Sequence, residues 1–106
     1  MHRTVYASDQ LRPGRHVRAV LTPQGGALLD LRPRRGRWYT FTPTAAFWWQ
    51  RIHDGCTVAE ASRAVADEYG IPAGQAAADL DPFLVQMLRK RLLVLAIPRR
   101  TPRWKR

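Results

Sequence analysis

The fold class predicted by this sequence is α+β: a three-stranded antiparallel sheet followed by a cluster of three helices. Two observations predict it. Residues 16–41 alternate apolar and polar positions between short Pro/Gly turns, and residues 42–93 repeat apolar positions at helical spacing between well-formed caps. A chain of 106 residues, 45% of them apolar, suits one domain with a real core.

Residues 1–15 hold Pro13-Gly14 and no clear periodicity, and read as a lead-in. The first strand is His16 to Leu21, with Val17 and Ala19 set against Arg18 and Val20. Pro23-Gln24-Gly25-Gly26 is a turn signal. In the second strand, Ala27 to Leu31, Leu29 and Leu31 share one face while Leu28 and Asp30 share the other. Pro33-Arg34-Arg35-Gly36 reads as the next turn, with Gly36 a residue suited to a positive φ. Arg37-Trp38-Tyr39-Thr40-Phe41 is the third strand, rich in aromatic and β-branched residues.

Thr42 then caps a helix with Pro43 at its first position. Its buried face is Ala45, Trp48, Trp49 and Ile52, and Asp54-Gly55 ends it. Thr57 and Glu60 make a capping box for a second helix with Val58, Ala61, Val65 and Tyr69 on one face. Gly70 and Pro72 stop it. The third helix starts near Ala73. Ala77, Leu80, Leu84 and Leu88 form one face, and Ala76, Asp79 or Leu80, Phe83 and Met87 an adjoining one. Pro82 inside this stretch either kinks the helix or restarts it with Asp81 as cap. The whole is winged-helix-like in order.

The net charge is +10, and half of it sits in the last eight residues, Arg99 to Arg106. That tail reads either as an electrostatic arm or as a solvated terminus. The N-terminus lacks the apolar stretch of a signal peptide, and Leu92 to Ile97 is too short to span a bilayer. With Cys56 as its one cysteine, the chain makes no internal disulfide and suits a reducing cytoplasm. No catalytic constellation is visible. His2, His16 and His53 lie in no motif, and His53 reads as a dipole partner at a helix end. Cys56 precedes the Thr57 cap without an evident base other than His53. No metal-ligand or phosphate-loop pattern occurs, so neither enzyme activity nor a cofactor is expected.

From Gly26 to Leu93 the chain resembles the PqqD-like leader-peptide recognition domains that serve the biosynthesis of ribosomally made, modified peptides. Gly26 to Leu31 looks like that family's second strand and Arg35-Gly36-Arg37-Trp38-Tyr39-Thr40-Phe41 like its third. Thr42 to Trp49 and Asp54-Gly55 look like its first helix. Thr57 to Gly70, with Leu80, Phe83, Leu84 and Leu92-Leu93, look like the two others. The flavour is that of the stand-alone versions in lasso-peptide pathways. Thr42 stands where the family has Asn, Ala45 where it has Gly, and Arg91 where it often has Gly near the end of the third helix. Pro82 is a further departure, and the tail after Pro98 has no counterpart in the family.

The resemblance implies a peptide-binding domain over residues 16–97, flanked by the lead-in and a basic tail, 98–106. It implies a non-catalytic monomer that takes a precursor's leader as an added strand on the third strand. The leader would then pass to a transglutaminase-like cysteine protease, with a cyclase acting afterwards. The backbone of Arg37, Trp38, Tyr39, Thr40 and Phe41 is the implied docking edge. Leu80, Phe83 and Met87 form the implied apolar wall, and Asp79 receives a leader tyrosine hydroxyl or cation. For each apolar residue plain core packing is the competing reading. A second function class, a winged-helix nucleic-acid binder, draws on the charge and the helix cluster. Against it, the second helix carries Glu60, Asp67 and Glu68 with only Arg63 basic, unlike a recognition helix. A third reading is a structural subunit whose tail docks an acidic surface.

Overall fold

The computed structural model describes residues 8–33 and 37–96. The basic tail, Gly36 and residues 1–7 of the lead-in lie outside the described residues. The elements are β1 (Leu11–Pro13), β2 (Val17–Thr22), β3 (Gly25–Asp30), β4 (Arg37–Phe41), α1 (Pro43–His53), α2 (Val58–Tyr69), α3 (Ala73–Arg89) and β5 (Leu93–Leu95). The expected meander forms as an antiparallel sheet of order β2-β3-β4, and three helices follow it.

The lead-in differs from its reading. It supplies β1, which pairs antiparallel with β5 to make a second, two-stranded sheet (Leu11 opposite Leu95, Pro13 opposite Leu93). Three residues are too few for a periodic signal, and the partner lies at the far end of the chain. The β2–β3 turn is also tighter than expected. Gly25 and Gly26 belong to β3, and Thr22 faces Gly25 across a two-residue loop. Gly25 has φ +129°, and a Cβ there would lie 2.2 Å from the Phe41 carbonyl oxygen, so β4 can approach only a glycine.

The core lies between the inner sheet face and the helices. Val17, Leu28 and Phe41 meet Trp48, Trp49 and Ile52 of α1, with Ala61 and Val65 of α2 and Leu80, Leu84 and Met87 of α3 around them. Leu28 and Asp30 take the inner face of β3, which turns Leu29 and Leu31 out to solvent. On α3 the buried stripe is Ala76, Leu80, Leu84 and Met87, one residue around from the 77–88 stripe, while Ala77 is exposed. Tyr69 is also exposed and meets Phe47 edge-on.

The caps behave as their side chains dictate. The hydroxyl of Thr42 accepts from the Ala45 N–H, and Thr57 and Glu60 form the reciprocal box. Gly70 ends α2 in the left-handed conformation. α3 runs unbroken from Ala73 to Arg89 with Pro82 inside, so no restart occurs. Pro82 and Ala78, whose carbonyl loses its helical donor, are both exposed, so that carbonyl lies on the solvent side of the helix.

α3 ends in a paired motif: Arg91 donates its N–H to Leu88 and Leu92 donates to Met87. Arg91 itself sits at φ +58°, the conformation a glycine adopts without strain. Arg91→Gly is therefore expected to stabilise the domain by about 1 kcal/mol, read as a higher urea midpoint with an unchanged slope.

Candidate functional site

β4 is an edge strand, and its outer backbone is the first feature of the site. The Leu31 N–H donates to the His16 carbonyl at 2.8 Å, which makes those two residues a hydrogen-bonded pair in line with the β2–β3 register. Alternation along an antiparallel ladder then directs the backbones of residues 25, 27, 29 and 31 toward β2 and those of 26, 28 and 30 toward β4. Gly26, Leu28 and Asp30 face Phe41, Tyr39 and Arg37, so those three β4 residues spend their backbone groups inside the sheet. Trp38 and Thr40 turn their N–H and C=O groups outward, four backbone groups without a partner among the described residues and open to an added strand.

The side chains follow the same parity. Tyr39 and Phe41 lie on the inner face, half-buried and buried, while Trp38 and Thr40 are exposed on the outer face. Trp38 keeps 66% of its surface in water, a large apolar area on an open edge.

α3 forms the wall beside this edge. The Phe83 ring lies 5.5 Å from Phe41 and 5.5 Å from Trp48, both edge-on. Farther along the helix, the Lys90 Nζ sits 5.7 Å above the Tyr39 ring. The later helix residue meets the earlier strand residue, so α3 runs antiparallel to β4. Residues 79, 83, 86 and 90 follow helical spacing and form one stripe along that wall.

Leu80 and Met87 are only 6% and 4% exposed and belong to the core. Phe41 is likewise buried and forms the floor. Asp79 and Arg37 are exposed. The stripe instead adds Gln86 and Lys90, which sequence reasoning had not singled out. The signal for them was present: both keep the helical spacing from Phe83.

A buried ion pair fixes the wall to the sheet. Asp30 on the inner face of β3 is 2% exposed. Arg32 donates Nε to Oδ1 at 3.0 Å and Nη2 to Oδ2 at 2.6 Å, while its backbone N–H also reaches Oδ1 at 3.1 Å. The same Nη2 donates to the Lys90 carbonyl at 2.8 Å, tying the end of α3 to the end of β3. These bonds to Arg32, above all the side-chain ones, hold the Asp30 carboxyl down at about 2 against the cost of burial. Arg32 is raised in turn by its bond to Asp30. Strand alternation sets residue 30 on the same face as Leu28, but nothing in the sequence marks that face as the buried one.

Among the described residues no group of His, Cys, Asp and Glu side chains could hold a metal ion. His53 lies 3.6 Å from the Asp54 carboxylate at the end of α1. No helix among the described residues is long and apolar enough to cross a membrane.

Residues 25–93 match the family described as coenzyme PQQ synthesis protein D (PqqD). No curated protein matches the chain. Two solved structures share its fold. One is a lasso peptide synthetase B1 complexed with the leader peptide, 24% identical with a TM-score of 0.69, covering 80% of this chain and 98% of that one. The other is TbiB1 in complex with the TbiA(beta) leader peptide, 20% identical with a TM-score of 0.70, covering 83% and 99%.

Proposed function

This chain belongs to the PqqD family, and from that membership we propose that it binds the leader of a ribosomally made precursor peptide as an added strand on β4. It performs no chemistry itself. It holds the leader so that a separate protease, a transglutaminase-like cysteine peptidase, meets the precursor at high effective concentration. The setting is a lasso-peptide pathway in the cytoplasm, and the protein acts as a monomer. The observation that carries this reading is the outward backbone of Trp38 and Thr40 beside the Phe83 wall. Both solved structures of the same fold were obtained with leader peptides, which supports the same direction.

Backbone pairing at such an edge is tolerant of sequence, and specificity comes from alternate leader side chains. Those that point inward meet Tyr39, Phe41 and Phe83. Those that point outward meet Trp38. Asp79 and Lys90, at the two ends of the wall, select opposite charges on the leader.

Fluorescence polarisation tests the proposal with the labelled leader of the precursor encoded beside this gene, in parallel with a duplex DNA probe. The expected dissociation constant is about 0.1–10 μM for the leader. Phe83→Asp is expected to weaken it at least about tenfold with the far-UV circular dichroism unchanged. Salt-sensitive DNA binding without leader binding overturns the proposal in favour of a nucleic-acid role.

A further inference from the structure

The other edge of the sheet carries a second groove. Among the described residues β2 has no partner on its outer side, and a cleft of about 530 Å³ opens between it and α1. Pro13, Val17, Ala19, Leu21 and Trp49 line its floor. Val17, Ala19 and Leu21 share the inner face of β2, yet Ala19 is exposed where Val17 is buried. The inner face is thus uncovered at Ala19, directly beside the buried Trp49.

The same alternation that opens β4 fixes which β2 groups are free. Arg18, Val20 and Thr22 pair with β3, so Val17, Ala19 and Leu21 direct their backbones outward. Val17 is occupied at both ends: its N–H donates to Gly14 at 3.0 Å and its carbonyl accepts from Arg18 Nη1 at 2.9 Å. Ala19 and Leu21 remain, with four outward backbone groups. The residues that line the cleft are therefore the ones that offer hydrogen bonds at its rim.

The rim carries Arg18, whose Nη1 is held on the Arg15 and Val17 carbonyls. His53 and Gln50 line the opposite side, and none of the lining residues is acidic. The neighbouring Asp54 is engaged by Arg51, Gln50 and His53.

We propose that the Ala19–Leu21 edge and the cleft beneath it form a second strand-addition site, which takes an extended acidic segment of a partner protein. An apolar side chain of that segment drops beside Ala19 onto Trp49, and a flanking carboxylate meets Arg18. The proposal goes beyond leader binding and does not depend on it. With both edges in use, the domain holds two extended chains on opposite sides of one sheet.

The probe is a blocked heptapeptide alternating glutamate with leucine or phenylalanine, with a lysine counterpart as control. Both are titrated into the full ¹⁵N-labelled chain. The acidic peptide is expected to shift the amides of Ala19 and Leu21, leave those of Trp38 and Thr40 unmoved, and bind at least about tenfold more tightly than the lysine peptide. Ala19→Pro, which removes an outward donor without touching the ladder, is expected to lose at least about tenfold in affinity. Arg18→Glu, at an exposed position, is expected to reverse the preference between the two peptides. Leader titration in the same spectra reports on Trp38 and Thr40, so the two sites fail or succeed separately. Equal binding of both peptides, shifts at Trp38 and Thr40 instead, or no shifts by about 1 mM peptide overturns the proposal.

Discussion

Thr40→Pro is expected to weaken leader binding by about ten- to hundredfold while leaving a cooperatively folded domain. The N–H of Thr40 points out of the sheet, so its loss breaks no hydrogen bond of the protein itself. Proline is tolerated at such an edge position. The incoming strand, by contrast, loses a donor and meets the pyrrolidine ring in the place where its own carbonyl would sit. Tyr39→Pro makes the matching control with the opposite result. Tyr39 is paired with Leu28 inside the ladder, so proline there is expected to unfold the domain. Polarisation with the labelled leader, combined with urea unfolding of each variant, reads both effects. If Thr40→Pro binds as tightly as the parent chain, the leader does not add to β4.

Arg32→Ala is expected to cost about 3 kcal/mol, against a total of about 5–15 kcal/mol for a domain. The cost arises from what remains: Asp30, nearly inaccessible, keeps its carboxylate without a guanidinium, and the Lys90 carbonyl loses its donor. The pH dependence separates this from simple loss of packing. In the parent chain Asp30 lies at about 2, below its ordinary 3.8. A carboxyl lowered on folding contributes stability that is present above the unfolded value and lost as pH falls through the folded one. The parent is thus expected to lose stability between about pH 4 and pH 2. In Arg32→Ala the guanidinium bonds that lower Asp30 are gone while the burial that raises it remains, so the loss of stability on acidification is expected to shrink. Urea midpoints from neutral pH down to about pH 2 distinguish the two curves. Because Arg32 also anchors Lys90, the variant is expected to bind leader more weakly even where it remains folded.

Much of the helical half was legible because its signals are local. Thr42, Thr57 with Glu60, and Gly70 each act on backbone groups within four residues, and each does what its chemistry requires. Arg91 is instructive in the same way. The resemblance set a frequent glycine of the family near that point, and the chain does adopt a left-handed residue there, carried by an arginine. The strands were legible as segments but not as faces. Parity set Leu28 with Asp30 and Leu29 with Leu31, and hydropathy alone would have buried the pair of leucines.

What the sequence by itself determined about this protein is therefore its three central strands, its three helices and their order. Those follow from periodicity and from caps that act over one turn. Tertiary structure decided which side of each element faces inward. It sank Leu80 and Met87 into the core and left Phe83 at the groove, since a helix of mixed stripes turns toward whatever it packs against. It paired β1 with β5 across the length of the chain, and it buried Asp30 where Arg32 could hold it. It also left Ala19 uncovered on the second edge. Each of these depends on residues far apart in the chain meeting at one place, and no local pattern carries that information.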